Sequence, residues 1–78
     1  MSTSVSDASA VDVRVDDAAL HVTLRDGREV SVPLDWFPRL AAADATARAD
    51  WYLLGDGEGI HWPTIDEDIS VAGLLRAG

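Results

Sequence analysis

Between Val11 and Val32 apolar and polar residues alternate with a period of two, and that alternation leaves few folds open. Val11, Val13 and Val15 alternate with Asp12, Arg14 and Asp16; Leu20, Val22 and Leu24 alternate with His21, Thr23 and Arg25; Val30 and Val32 bracket Ser31. Successive side chains on a strand point to opposite faces, so the pattern predicts three half-buried strands near 11–16, 20–25 and 28–33. The turns must keep the parity. The segment "RDGR" looks like a two-residue Asp-Gly hairpin, but that register pairs Leu24 with Glu29 and puts core and solvent residues on one face. A three-residue loop, Arg25 to Gly27, with Gly27 left-handed in a bulge, instead pairs Val22 with Val30 and Leu20 with Val32. A four-residue connection from Asp16 to Ala19 then sets Val15 against Leu20 and Val13 against Val22 on the buried face.

After Pro33 the spacing becomes helical. Trp36, Leu40, Ala43, Ala47 and Trp51 recur at three and four residues and are expected to lie on the sheet, with Asp35 as N-cap and Pro38 in the first turn. Asp44 or Thr46 can cap the chain again midway, which would divide the segment into two short helices. The pieces "WYLLG" and "GIHWP" flank "GDGEG" and suit a second hairpin. Ser70 can cap a short terminal helix carrying Val71, Leu74 and Leu75, and the "DEDIS" acids before it suit the positive end of a helix. The fold class expected is α+β: an antiparallel sheet of about three to five strands covered by one or two helices, with a short C-terminal helix.

Size and charge bound the function. The chain has 78 residues, 47% hydrophobic and 26% charged, an ordinary globular mixture. Residues 1–10, small and polar, are expected to be a flexible tail, and residues 11–78 a single domain. Fourteen Asp and Glu against six Arg give a formal charge of −8, a field that repels phosphate backbones and disfavours direct nucleic-acid binding. Cysteine is absent, which removes thiol catalysis and cysteine metal ligands. The sequence shows no apolar run of membrane-spanning length and no signal-peptide pattern, so a cytoplasmic location without membrane attachment is expected.

The stretch "GEGIHWPTIDEDIS" is densest in residues with chemistry. Read from Asp56 as a calcium-binding loop, it fails at Ile60, where an oxygen ligand belongs, and at His61, where the sharp turn needs glycine. His21 and His61 lie too far apart to give a recognisable metal spacing, and no serine stands in a nucleophile turn, so neither metal, cofactor nor catalytic residues are expected. His61 reads as an ordinary strand residue. Trp36 and Trp51 read as core, while Trp62, beside Pro63, suits either the end of the core or a partner contact. Acids without a neighbouring arginine in the sequence, Asp56, Glu58, Asp66, Glu67 and Asp68, are expected together at one end, and with Trp62 they form the expected partner-binding set.

The blocks "DGREVSVPLDWFPRL", "RADW" and "GEGIHWPTIDEDISVAGLL" resemble the signature of a small uncharacterised bacterial domain family, over roughly residues 11–76. The C-terminal block carries most of the likeness, with Ile60, His61, Trp62, Pro63, Asp66, Glu67, Asp68 and Ile69 in the family's order. The chain departs from the pattern at "DATARAD", where relatives usually show a Thr, an acidic pair and an Asn before the Trp. Members often sit in operons that resemble toxin and antitoxin pairs, so the resemblance implies an α+β fold and a partner-dependent, non-enzymatic role. It brings no catalytic residues. Two functions are therefore expected to compete: an antitoxin-like module that sequesters a cognate protein, and a nucleic-acid mimic of the anti-CRISPR or anti-restriction type whose carboxylates fill a basic groove. Either has a protein partner, and a homodimer is compatible with both.

Overall fold

The computed structural model describes residues 9–77. The first hairpin pair obeys the parity argument. Strands β1 (Ala10–Val15), β2 (Ala19–Leu24) and β3 (Glu29–Pro33) form an antiparallel sheet in the order β1-β2-β3. Val13 faces Val22, Val15 faces Leu20, Val22 faces Val30 and Leu20 faces Val32. The three-residue loop is present. The Gly27 N–H donates to the Leu24 carbonyl at 3.0 Å, the Leu24 N–H to that of Arg28 at 2.8 Å, and Gly27 has φ +96°. Asp26 anchors the same loop, its carboxyl accepting the Arg28 backbone N–H and guanidinium, contacts that hold it below the usual carboxylate range.

A Cβ at Gly27 would meet no atom within 4 Å, so only backbone strain opposes a side chain there. Gly27→Val is accordingly expected to lower stability by about 1–2 kcal/mol in denaturant melts. No loss would contradict the left-handed loop.

One strand departs from strict alternation. The register shifts between Ala10 and Asp12, so Val11 is squeezed into a bulge and turned outward, 48% exposed, while Ala10 takes the buried position expected for Val11. Ser9 and Ala10, expected in the tail, are buried, and Ser9 accepts the Arg25 N–H at 2.8 Å. The rest of the expected tail, residues 1–8, lies outside the described residues.

The helical segment is broken where proline acts on its predecessor. Leu34–Trp36 form a single 3-10 turn, and Phe37, held by Pro38 at φ −128° and ψ 84°, leaves the helical region. Helix α1 (Pro38–Ala41) therefore starts at the proline, and Asp35 makes no capping bond. Asp44 caps α2 (Ala45–Ala49), its Oδ1 accepting the Ala47 N–H at 2.8 Å. The break changes which aromatic is buried. Leu40 and Ala47 reach the core, Phe37 packs against it, and Trp36, expected in the core stripe, is 47% exposed.

The second hairpin carries a third strand. Strands β4 (Tyr52–Leu54), β5 (Gly59–Trp62) and β6 (Glu67–Ser70) form a second antiparallel sheet in the order β4-β5-β6. Of the "DEDIS" acids, Glu67 and Asp68 thus belong to a strand and Asp66 to the turn before it, rather than to a helix start. Ser70 does cap α3 (Val71–Ala77), its Oγ accepting the Gly73 N–H at 3.2 Å. The architecture is α+β, with two three-stranded sheets sharing one core that includes Leu20, Leu24, Leu40, Ile60, Trp62 and Ile69. Two backbone contacts tie the elements: the Ala10 N–H donates to the Gly57 carbonyl at 2.8 Å, and the Val71 N–H to that of Glu58 at 3.0 Å. No helix among the described residues is long and apolar enough to cross a membrane.

Candidate functional site

Strand β6 positions the residues singled out in the sequence, but it does not gather them. Gly59 pairs with Ser70 and Trp62 with Glu67, so the turn carrying Asp56 and Glu58 lies at one end of β5 and Asp66 lies at the other. Four strand residues separate these ends by about 10 Å at roughly 3.3 Å per step. The acidic end expected from the sequence is therefore two places. Asp66 also has a cation beside it, since Arg39 Nη1 donates to its backbone carbonyl at 2.7 Å. Its φ of +52° is the left-handed conformation that Asp tolerates better than most residues, here closing the connection from β5 to β6.

Trp62 is fully buried, and its indole N–H donates to the Arg48 carbonyl at 3.0 Å. It closes the core and presents no surface to a partner. Arg48 holds that region from the other side, its guanidinium donating to the Leu40 and Ala41 carbonyls and to Asp17.

On the outer face of the second sheet His61 and Asp68 stand opposite one another. His61 Nδ1 is hydrogen-bonded to Asp68 Oδ1, and the Tyr52 ring lies 5.2 Å from the imidazole centroid. The strand setting expected for His61 is thus found, with Asp68 as its partner. Glu67 lies half-buried opposite Trp62.

The first sheet holds a row that the sequence reading missed. His21 Nδ1 lies 2.7 Å from Ser31 Oγ, and His21 Nε2 lies 2.9 Å from Asp16 Oδ2. A ring protonated at Nε2 satisfies both neighbours. The only sequence signal for this row is the common face of Asp16, His21 and Ser31; no spacing motif links them. Asp16 Oδ1 accepts the N–H groups of Ala18 and Ala19 at 2.8 and 2.7 Å. The His21 hydrogen bond first, and these backbone donors next, lower the Asp16 carboxyl from 3.8 to about 2. A depressed folded-state value means stabilisation that is complete above the unfolded value and lost as pH falls through the folded one. Between pH 3.8 and about 2 the protein is expected to lose stability through Asp16, and Asp16→Asn to flatten that part of the curve. Equal slopes in acid titrations of the two proteins would contradict the linkage.

Two concavities accompany these groups. The larger, about 390 Å³, runs between β1 and α2, and its charged members Arg14, Asp16, Asp17 and Arg48 are all paired within the fold. The Ser31 and His21 side chains do not line it. The smaller, about 280 Å³, is bounded by Trp36 and Phe37, by Asp68, Ile69 and Ser70 of β6, and by Gly73 and Leu74 of α3. Here a large indole is exposed beside apolar walls, and three consecutive strand residues form one side.

The pairing pattern says what that strand offers. Val71 donates to Glu58 directly opposite, so in this ladder Glu58–Val71, Ile60–Ile69 and Trp62–Glu67 are the hydrogen-bonded pairs. Asp68 and Ser70 fall between them. Their backbone N–H groups, and the Asp68 carbonyl, point away from β5 toward the groove, and no other backbone group among the described residues takes up either N–H. The groove thus combines an open strand edge, an exposed tryptophan and a carboxylate.

The fold recurs in a crystal structure of a protein of unknown function from Rhodospirillum rubrum ATCC 11170, 31% identical, with a TM-score of 0.76 over 88% of this chain and 86% of that one. No curated protein matches the chain. The family described as protein of unknown function, DUF2442, matches residues 10–78, from the first residue of β1 to the last of the sequence. The chain belongs to the DUF2442 family.

Proposed function

We propose that this protein is a non-enzymatic binding module that sequesters a cognate protein, antitoxin-like, through the groove between Trp36 and β6. The observation that carries the reading is Trp36, an indole 47% exposed at the rim of an apolar groove. Trp is among the side chains most enriched at binding hot spots, because it brings a large rigid area into contact at little entropic cost. The charge of −8 favours a partner with a basic surface and speeds its approach. Trp36 thus takes the anchor role expected for Trp62, and of the expected acids Asp68 lines the same groove. Asp56 and Glu58, which do not line the groove, are assigned to steering rather than to contact.

The test is a titration of the purified cognate partner at two salt concentrations, with and without duplex DNA. Trp36→Ala is expected to weaken binding by about 2 kcal/mol or more with the melting temperature retained, and salt to matter less. The nucleic-acid mimic makes the opposite forecast. If amide substitutions at Asp66, Glu67 and Asp68 cost more than Trp36→Ala, and DNA competes for the partner, mimicry replaces the antitoxin-like reading.

A further inference from the structure

The open edge of β6 is matched to one kind of ligand. Strand edges recruit extended chains because an added strand satisfies unpaired N–H and C=O groups, while pockets on alternate faces select its side chains. Many proteins protect such edges with lysine, proline or a bulge, and β1 has the bulge at Val11. Strand β6, "EDIS", is short and carries two acids but no lysine, proline or bulge, a protection that deters apolar or acidic chains and leaves a basic one. The groove beside it keeps the edge accessible, with Arg39 closing one end by bonding the Asp66 carbonyl.

Resting on the protein-binding reading above, we propose that the partner contributes an extended segment of alternating basic and apolar residues, which adds to β6 as a fourth strand of the second sheet. The parity assigns each position. The residue opposite Asp68 exchanges two backbone hydrogen bonds with it and shares its face, so it places a Lys or Arg against the carboxylate, whose Oδ1 is held by His61. Its neighbours lie on the other face, opposite Ile69 and Glu67, where the half-exposed Trp36 ring presents apolar surface beside the buried Ile69 and Leu74. The register between the free β6 donors and the Asp68 carboxylate therefore calls for charge at one parity and hydrocarbon at the other. An acidic segment would meet Asp68 and the chain's own field and is rejected.

The probes are synthetic nine-residue peptides of alternating valine and lysine, their valine–glutamate counterpart, and two N-methylated forms of the lysine peptide. Calorimetry on the full chain is expected to show the lysine peptide binding at least about tenfold more tightly than the glutamate one. N-methylation at the lysines, whose N–H groups face β6, is expected to weaken binding about tenfold or more, and at the valines by less than about threefold. Amide exchange on the unaltered protein supplies the second readout. Saturating peptide slows exchange at Asp68 and Ser70 and leaves Ile69, already paired with Ile60, unchanged. Strand addition is overturned if the lysine peptide does not bind, if both N-methylated forms bind equally, or if exchange at Asp68 and Ser70 stays the same. Trp36-dependent binding of the purified partner without this exchange pattern overturns strand addition alone, whereas loss of all Trp36 dependence overturns the protein-binding reading beneath it.

Discussion

Trp62→Ala is expected to cost about 3–5 kcal/mol of folding stability, the range for deleting a buried Trp or Phe side chain. The ring has no exposed area, and its N–H is the partner of the Arg48 carbonyl, so the substitution opens a cavity and leaves a backbone acceptor unpaired together. Arg48 in turn bonds the carbonyls of Leu40 and Ala41, which places the loss where the end of α1, α2 and the second sheet meet. Trp62→Phe, which keeps most of the volume and loses the donor, is expected to fall between the two. Chemical denaturation reads both. A cost below about 1 kcal/mol for Trp62→Ala would show that this ring does not anchor the core. Trp36→Ala is the matching control: its ring is half exposed, so its effect should appear in binding rather than in stability.

The second large effect is expected at Gly57. Gly57 and Gly27 share a left-handed backbone, with φ of +90° and +96°, and a reading of turn chemistry would treat them alike. Their surroundings differ. A Cβ on Gly57 would lie 2.3 Å from the Ala10 carbonyl oxygen and 2.9 Å from the Ala10 nitrogen, which is backbone that cannot rotate aside. The same Ala10 N–H bonds the Gly57 carbonyl, so the clash falls on a hydrogen bond between β1 of the first sheet and the turn of the second. Adding the left-handed penalty of about 1–2 kcal/mol to an overpacking cost of about 1–3 kcal/mol gives about 2–5 kcal/mol for Gly57→Ala. Equal melting midpoints for Gly57→Ala and Gly27→Val would refute the claim that close approach, beyond backbone strain, requires the glycine.

The candidate site was less legible than the frame around it. Its acids were visible as "DEDIS", but the strand that begins at Glu67 has one apolar residue in four, and nothing local marks it as extended. Its conformation comes from pairing with β5, whose Ile60 and Trp62 supply the buried face. The tryptophans were exchanged for a comparable reason. A stripe drawn from Trp36 through Leu40 assumes an unbroken helix, whereas Pro38 forces Phe37 out of the helical region and detaches Trp36 from the phase of α1. That restriction is local and could have been read from the "WFP" order. The Ser31–His21–Asp16 row was legible only as neighbours on one polar face, since the register sets His21 against Ser31 but the hydrogen bonds depend on how the side chains turn.

By itself the sequence determined the α+β class, the parity and register of the first sheet, the left-handed Gly27 loop, a second cap at Asp44 or Thr46 and the short terminal helix capped by Ser70. Each depends on interactions between residues close in the chain, or on a period of two that a buried face enforces. Tertiary structure alone decided that the second hairpin acquires β6 as a separate sheet, that Trp62 is inside and Trp36 outside, and that Gly57 has no room for a methyl group. Those outcomes depend on which distant surfaces meet, as when Ala10 closes on Gly57 and the Arg48 carbonyl receives the indole of Trp62, and no local pattern encodes such a meeting.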